Sequence, residues 1–430
     1  MRYIKKISGK NNRRSFIKTI GAGGLGLGLG SMANASNKSA NIYSGDTLTR
    51  EYVKIFHNPD RELLVDSPGI VKLPDEVLLA TVPVRPTSKK QEERESITYI
   101  FRSKDRGQNW QMISELKGYF SVAPWIYKDT LYLFANPDGT KPRSRPYYSR
   151  YRNDDLLLLR SDNGGMTWSE PVILFKGHFW NCPTGMVIKN NKLYWAVDDL
   201  ALPERNPRAV VCDLSLDIMN SASWRISDTI PFVGVPKELI NPKFAGDRDT
   251  YILEPNVIDV QGQLRVICCV KPAKQTTSGL SAVYDLTDNK EKLDLKFTQF
   301  HPLPGGQLKF HIIKDEKTQL FWMTANLVVD SHDAFDWWEK ADWRGGNDRR
   351  FLMLFYGLDG LNWFQAGCIA YTKNINQSYM YATPVIDGDD LAVISRSSIN
   401  SGHQHDADFA TFHRVQNFRS LAKLKLVPDL

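Results

Sequence analysis

A short pattern, Ser-x-Asp-x-Gly-x-x-Trp, recurs along this chain, each time directly after a run of strand-forming residues. One copy runs from Ser103 to Trp110, and a second, with Asn in the Asp place, runs from Ser161 to Trp168. A shorter copy, GLDGLNW, ends at Trp363. The Asp or Asn side chain can bind backbone N–H groups of a turn, and the glycine permits a positive φ. Because every copy follows a strand, the chain is predicted to repeat one small antiparallel unit.

Between the copies the sequence reads as short strands separated by turns, and long amphipathic helices are scarce. The repeated turn resembles the Asp-box of sialidases and their BNR-repeat relatives, which are β-propellers. The resemblance implies an all-β fold, a six-bladed β-propeller of four-stranded antiparallel blades with roughly 60 to 65 residues per blade; seven blades would also fit. Such turns are structural, so they predict the fold and leave the chemistry to other residues.

The first 35 residues have the three parts of an export signal. Arg13 and Arg14 form a twin-arginine pair, a glycine-rich stretch follows, and Ala33-Asn34-Ala35 resembles a cleavage site. We therefore expect a twin-arginine signal peptide at 1–35, a linker at 36–55 and the propeller at 56–430, in a periplasmic or secreted protein. The seven basic residues of the signal account for the whole net charge of +7. Charge therefore gives no argument for a nucleic-acid partner.

The rest of the sequence argues against several other classes of protein, namely membrane-spanning, nucleotide-binding, metalloprotease and disulfide-rich proteins. No apolar run approaches the roughly 20 residues of a membrane span. No nucleotide-binding or metalloprotease motif occurs, so no cofactor is expected. The five cysteines include no CxxC pair, and Cys268 and Cys269 are adjacent on an apolar strand, where side chains alternate between faces. Buried thiols are therefore expected rather than a disulfide framework.

The resemblance to sialidases extends to the residues around their substrate carboxylate, which three arginines grip. In the stretch that matches the first arginine, Asp66 stands in its place, and an aspartate there is expected to repel a carboxylate. The strand that should supply the second arginine ends in Lys271. Arg349 matches the third by spacing, with Arg350 beside it as a second candidate for binding substrate. The resemblance thus implies a retained pocket whose substrate is not sialic acid.

Several residues are candidates for the chemistry of that pocket. Glu254 takes the place of the sialidase glutamate that pairs with the nucleophilic tyrosine, and Tyr381 is the matching tyrosine. Tyr379, two residues away, would share its face on a regular strand and so contact substrate. Glu92 lies nearest the spacing of the sialidase acid, in a charged hairpin tip that could equally be only solvated. His178 lies among aromatics after the second repeated turn and is a further catalytic candidate.

Two more segments carry polar or aromatic side chains. HQHDADF contains His403, His405, Asp406 and Asp408, and strand alternation could place two metal ligands on one face. Because the segment has no recognised metal-ligand spacing, no metal site is predicted. The Trp-rich segment 332–350 contains Trp338, whose ring could stack on a sugar or fill a gap between blades.

The pattern favours an exported carbohydrate-active enzyme, a glycoside hydrolase acting on glycans with uronate or sulfate groups. Tyr381, assisted by Glu254, would attack the anomeric carbon, and an acid such as Glu92 would protonate the leaving oxygen. A polysaccharide lyase or dehydratase, in which His or Tyr removes the proton beside a uronate carboxylate, is the first alternative. A non-catalytic glycan- or protein-binding propeller is the second. In either enzyme, Glu254, Arg349 and Tyr381 should meet in one central pocket with Asp66 at its rim.

Overall fold

The computed structural model describes residues 38–40, 47–87, 94–138, 155–200, 205–239, 251–271, 279–328 and 348–422. The predicted signal peptide and the candidates Glu92 and Trp338 lie outside these ranges. Within them the chain is almost entirely β-structure, and no helix there has the length and apolar character needed to cross a membrane.

The strands of the described ranges form six antiparallel sheets, which are the blades of a β-propeller. The predicted all-β, six-bladed fold is confirmed. Two N-terminal strands come first, β1 (Lys38–Ala40) and β2 (Glu51–His57). Blade 1 contains β3 (Leu63–Val65), β4 (Gly69–Lys72), β5 (Leu78–Pro86), β6 (Ile97–Ser103) and β7 (Gln111–Lys117), and blade 2 contains β8 (Tyr119–Tyr127), β9 (Thr130–Pro137), β10 (Leu156–Ser161) and β11 (Val172–Phe175).

The remaining blades repeat this order. Blade 3 contains β12 (Phe179–Trp180), β13 (Val187–Lys189), β14 (Lys192–Asp199), β15 (Asn206–Asp213) and β16 (Trp224–Ile226), and blade 4 contains β17 (Tyr251–Val260), β18 (Gln263–Lys271), β19 (Leu280–Asp288) and β20 (Leu293–Pro302). Blade 5 contains β21 (His311–Lys314), β22 (Phe321–Asn326), β23 (Phe351–Gly357) and β24 (Trp363–Tyr371), and blade 6 contains β25 (Ser378–Asp387), β26 (Asp390–Ser398) and β27 (Phe409–Val415). Short 3-10 turns occur at Ser221–Ser223, Lys237–Leu239 and Phe418–Leu421.

The N-terminal strand β2 completes blade 6 and closes the ring. It pairs antiparallel with β27, with Val53 opposite Phe412, and β1 pairs with its outer edge. The interval 36–55, predicted to be a linker, therefore contributes strands to the propeller. The physical reason is that β27 would otherwise present an unpaired edge, which a strand from the other end of the chain covers.

The hydrophobic core lies between neighbouring blades. Six of its clusters join consecutive blades around the ring, because each sheet is apolar on both faces. Cys268 and Cys269 illustrate the alternation: the first belongs to the cluster between blades 3 and 4 and the second to that between blades 4 and 5. Both are free thiols, as the sequence predicts.

The repeated turns adopt the geometry expected of them. In each turn, the Asp or Asn side chain accepts a backbone N–H from a residue three or four positions on: Asn109 to Asp105 at 2.9 Å, Thr167 to Asn163 at 2.9 Å, and Asn362 to Asp359 at 2.7 Å. Gly107 has a φ of 88°, which a residue without Cβ adopts at little cost. The turns thereby join the third and fourth strands of blades 1, 2 and 5.

The innermost strands are irregular, and this irregularity positions the site. In blades 2, 4 and 6 a β-bulge interrupts the register, and the residue inside each bulge has a positive φ: 53° at Ser121, 54° at Glu254 and 50° at Tyr381. The innermost strands of blades 1 and 3 are instead split into two pieces. Bulges redirect side chains, and non-glycine residues with a positive φ often mark functional sites.

Candidate active site

In each blade one polar residue lies where the innermost strand is interrupted. In blade 5 this residue lies just before the innermost strand. In order around the ring these residues are Asp66, Ser121, Cys182, Glu254, Lys309 and Tyr381. Several of them are close enough to influence one another electrostatically, as the pKa of Cys182 shows. Burial raises the pKa of Cys182 well above its usual value, Glu254 and Asp66 add to the rise, and Lys309 opposes it. Residues that are far apart in the sequence therefore converge on one site.

Tyr381 lies between two cations in this site. The guanidinium carbons of Arg349 and Arg396 are 5.3 and 5.1 Å from the centre of its ring, within the range of cation–π attraction. Burial, followed by the charge of Glu254, raises the pKa of Tyr381, although the two arginines work to lower it. As a whole residue, Tyr381 is only partly buried. Because its pKa is raised, its hydroxyl is protonated at neutral pH.

Tyr379 does not share the face of Tyr381, contrary to the sequence prediction. Its ring is buried in the cluster between blades 5 and 6, 5.7 Å from the rings of both Tyr52 and His413. The bulge at Tyr381 breaks the alternation that a regular strand would impose. Tyr379 is therefore a core residue, and the structure gives it no place for contacting substrate.

The two adjacent arginines have different surroundings. Arg350 makes a double hydrogen bond to the fully buried carboxylate of Asp348, at 2.9 and 2.8 Å, so the predicted role in substrate binding does not fit its geometry. Arg349 is 2% exposed, and its Nη1 lies 3.4 Å from the sulfur of Met380. Its Nε has no hydrogen-bond partner, and in the described part of the chain no carboxylate pairs with this guanidinium. Arg349 thus has unused capacity to bind an anion.

Asp66 lies among arginines and is buried, where the sequence analysis expected a rim residue that repels acidic groups. Its Oδ2 accepts from Arg85 Nε at 2.6 Å, and its Oδ1 lies 3.3 Å from Nη1 of Arg396. Burial alone would raise the pKa of Asp66, but the charges of Arg85 and Arg396 and the bond from Ser67 outweigh it and lower the pKa to about 2. The two arginines therefore neutralise the charge of Asp66 locally. Neither arginine could be foreseen as its partner from sequence spacing alone.

Glu254 occupies the same bulge position in blade 4 as Tyr381 in blade 6. Its backbone N–H donates to Asp198 at 2.9 Å, and the thiol of Cys269 donates to its Oε2 at 3.4 Å. In the described residues no hydrogen bond joins Glu254 to the hydroxyl of Tyr381, so the two interact through charge. Burial raises the pKa of Asp198 to about 7; Arg205 opposes the rise and Glu254 adds to it. The carboxyl group of Asp198, which is close to Glu254, is therefore partly protonated at neutral pH.

Sequence reasoning missed two cations of this site, Arg396 and Lys309. Arg396 lies opposite Met380 in the strand pair of blade 6, at the place that Cys269 occupies opposite Leu253 in blade 4. Finding it from the sequence would have required knowing where the bulge lies, which only the structure shows. Lys309 is buried and donates from Nζ to the carbonyl of Ala382 at 3.0 Å and to that of Tyr381 at 3.5 Å. Burial lowers its pKa to about 8, so it holds the bulge mainly as a cation.

The other predicted catalytic residues are less closely connected. His178 precedes β12, its carbonyl accepts the N–H of Leu200 at 2.7 Å, and its role stays a prediction. Nearby, Arg205 lies 4.8 Å above the ring of Trp180. Glu92 and Trp338 also stay predictions, because they fall outside the described residues. Within those residues, no three His, Cys, Asp or Glu side chains are grouped as ligands for a metal ion.

Comparisons with known proteins identify the fold. The sequence matches no protein-family model and no curated protein. The structure is similar to a protein of unknown function from Dyadobacter fermentans, with a TM-score of 0.56 and 12% identity over 85% of this chain and 98% of the other. It is also similar to Trypanosoma rangeli sialidase in complex with sialic acid, with a TM-score of 0.56 and 15% identity over 91% of this chain and 60% of the sialidase.

A Hadza microbial sialidase gives a comparable match, with a TM-score of 0.57 and 15% identity over 85% of this chain and 68% of that enzyme. The chain spans about three fifths of the Trypanosoma rangeli sialidase. At these identities the likeness concerns the fold: the chain is a sialidase-like six-bladed propeller.

Proposed function

We propose that this propeller is a glycoside hydrolase that cleaves glycans bearing a carboxylate or sulfate group other than sialic acid. The observation that carries the proposal is the environment of Tyr381. The residue is only partly buried, two arginines lie near its ring, and the charge of Glu254 acts on its hydroxyl. Tyr379 is a buried member of the cluster between blades 5 and 6, whereas Tyr381 only packs partly buried against the cluster between blades 6 and 1.

In the proposed reaction Tyr381 is the nucleophile. Glu254 is the proposed acceptor of its phenolic proton, and the two arginines, which lower the pKa of the phenol, stabilise the phenolate that forms. The glycosyl group is transferred to the tyrosine and then to water. Glu92 remains the proposed acid for the leaving oxygen, and the bulge that carries Tyr381 is fixed by Lys309.

Arg349 supports the choice of an anionic substrate. Arg85 and Arg396 already share the carboxylate of Asp66, whereas Arg349 has no such partner among the described residues. A buried cation without a counter-ion is unfavourable until an anion binds to it. One available arginine can hold one acidic group, but it cannot reproduce the three-arginine grip that a sialidase uses for sialic acid.

A lyase that acts on uronate-containing glycans is the second candidate. The raised pKa of Tyr381 favours it, because a protonated tyrosine can donate its proton to a departing oxygen. In that reaction Arg349 would bind the uronate carboxylate and stabilise the charge that develops beside it.

The test is a screen of uronate- and sulfate-bearing oligosaccharides in water enriched in oxygen-18, with products identified by mass. Hydrolysis incorporates one labelled oxygen at the new reducing end, whereas elimination gives an unsaturated product without it. Tyr381→Phe should lower kcat on the order of 10³-fold or more, the scale of losing a nucleophile. Tyr379→Phe, on the same strand but in the core, is the matched control and should retain activity. Turnover of sialyl-lactose alone would contradict the proposed substrate class.

We also propose that the protein is exported by the twin-arginine route, as its first 35 residues indicate. Replacing Arg13 and Arg14 by lysine should leave the protein in the cytoplasm on cell fractionation. Export of that variant at the normal level would contradict the proposal.

A further inference from the structure

The loop from Ser401 to Asp406 is attached to both arginines that flank Tyr381. The backbone N–H of Arg349 donates to Oε1 of Gln404 at 2.7 Å, and Nη2 of Arg396 donates to the carbonyl of His405 at 2.5 Å. Gln404 is itself fully buried, and its carbonyl accepts from Ser378 Oγ at 2.6 Å. The loop is therefore held in place beside the candidate nucleophile.

His405 is a partly accessible titratable group of this loop. Its side chain is 33% exposed, and its Nδ1 lies 3.0 Å from Oδ1 of Asp406. A carboxylate can only accept a hydrogen bond, so Nδ1 carries the proton and Nε2 keeps its lone pair. Asp406 thus fixes the ring in the tautomer that a general base needs.

Burial and the nearby cations keep the imidazole ring of His405 neutral. Burial is the main cause of the lowered pKa of His405, and the cations Arg396, Arg349 and Arg85 lower it further. The hydrogen bond to Asp406 acts in the opposite direction. On the same loop, Nδ1 of His403 lies 3.8 Å from the other oxygen of Asp406. At neutral pH the imidazole is therefore unprotonated and its Nε2 lone pair is free, but its pKa of about 3 makes it a weaker base than an ordinary histidine.

We infer that His405 is the base that activates water when the sugar is released from Tyr381, and that Asp406 is its positioning residue. This inference rests on the proposed hydrolase. The water oxygen forms a bond to the anomeric carbon, and the bond from that carbon to the tyrosine oxygen breaks. The electron pair of the broken bond goes to the Tyr381 oxygen, which takes back the proton that Glu254 accepted in the first step. The proton of the water goes to Nε2 and then to solvent, and solvent returns a proton to Glu92, so all four groups are restored.

The first test compares His405→Gln with the wild type on the substrate found in the screen. We expect kcat to fall by about 10²- to 10⁴-fold, the range of general base catalysis. The glycosyl adduct on Tyr381 should accumulate, visible in the intact mass. Azide, a nucleophile with no proton to lose, should restore turnover in this variant and not in Tyr381→Phe.

Two further variants test the role of His405. Asp406→Asn should lower kcat with KM nearly unchanged, and the acid limb of its pH profile should move to lower pH, because the carboxylate that favours the imidazolium is gone. His57→Gln, at an exposed histidine of β2, should retain activity. If His405→Gln keeps activity within about twofold of the wild type, or if His57→Gln loses as much activity as His405→Gln, the inference is wrong.

A second measurement does not depend on turnover. Diethyl pyrocarbonate modifies accessible neutral imidazoles, and glucuronate is the probe ligand. Glucuronate should slow the modification of His405 but not that of His57, which is exposed on β2. If the wild type cleaves no glycan, the proposed hydrolase fails. In that case, slower modification of His405 but not of His57 in the presence of glucuronate would still place His405 in an anion-binding site. If glucuronate does not change the modification rate of His405 relative to that of His57, His405 has no place in such a site.

Discussion

Replacing Asp66 by asparagine removes the negative charge that lies between Arg85 and Arg396. The replacement has nearly the same shape, so the packing around it is preserved. What changes is the charge balance, because Arg85 and Arg396, which are 6% and 1% exposed, lose the carboxylate that they share. Because the three side chains are buried, water cannot replace that carboxylate without rearrangement of the site.

The size of the effect follows from the pKa of Asp66, which is about 2 in the folded protein against a usual value of 3.8. At about 1.36 kcal/mol per pKa unit, this corresponds to about 2.4 kcal/mol in favour of the ionised form. Removing one partner of a buried ion pair costs about 3–5 kcal/mol. We therefore expect the free energy of unfolding at pH 7 to fall by about 2–5 kcal/mol in Asp66→Asn.

Urea unfolding of the wild type and Asp66→Asn at several pH values measures this difference. Since the folded-state pKa is lowered, the stabilisation is full above the unfolded pKa and is lost as pH falls toward about 2. The difference in free energy of unfolding between the wild type and Asp66→Asn should therefore become smaller below about pH 4. Asp75→Asn, at a mostly exposed aspartate of the same blade, is the control and should change stability by less than about 0.5 kcal/mol. A difference in free energy of unfolding below about 1 kcal/mol at pH 7, or a difference that grows as the pH is lowered, would refute the reasoning.

The adjacent arginines should respond in opposite ways. Arg350→Met leaves the buried Asp348 carboxylate without its double hydrogen bond and should destabilise by about 3–5 kcal/mol in urea unfolding. Arg349→Met should leave stability unchanged or higher, while weakening the binding of anionic glycans by about 10- to 100-fold in calorimetry. Burial lowers the pKa of His413 to about 3, so its contribution to stability is full above about pH 6.5 and is lost as pH falls. Between pH 7 and 5 the loss is about 2 kcal/mol, and His413→Gln should flatten that part of the unfolding profile by this amount. Lys309→Met should lower kcat more than it raises KM, because it releases the bulge at Tyr381; equal effects on both would contradict its positioning role.

The sequence predicts the fold because the fold depends on local signals. Each repeated turn carries its own Asp or Asn acceptor and glycine within a few residues of one another, so the pattern can be recognised without knowing what surrounds it. The closing strand β2 could not be recognised in this way. Its partner β27 lies at the other end of the chain, and nothing in EYVKIFH distinguishes a propeller strand from a linker that is transiently extended.

The candidate site is predictable only in part, for a related reason. Glu254, Arg349 and Tyr381 could be proposed from their matches to sialidase segments. The alternation rule failed at Tyr379 because a positive φ at the bulge is a tertiary feature that no local pattern announces. Asp66 was misjudged because the arginines that neutralise it come from other strands.

The most direct test of the account is to trap the sugar on the protein. A 2-deoxy-2-fluoro uronosyl fluoride, whose fluorine slows release of the sugar more than its transfer, should give a mass increase of one fluorouronosyl group per chain. Fragmentation should locate that group on the oxygen of Tyr381, and Tyr381→Phe should remain unlabelled. Labelling at any other residue, or hydrolysis of the natural substrate by Tyr381→Phe at the wild-type rate, would contradict the claim that this tyrosine is the nucleophile.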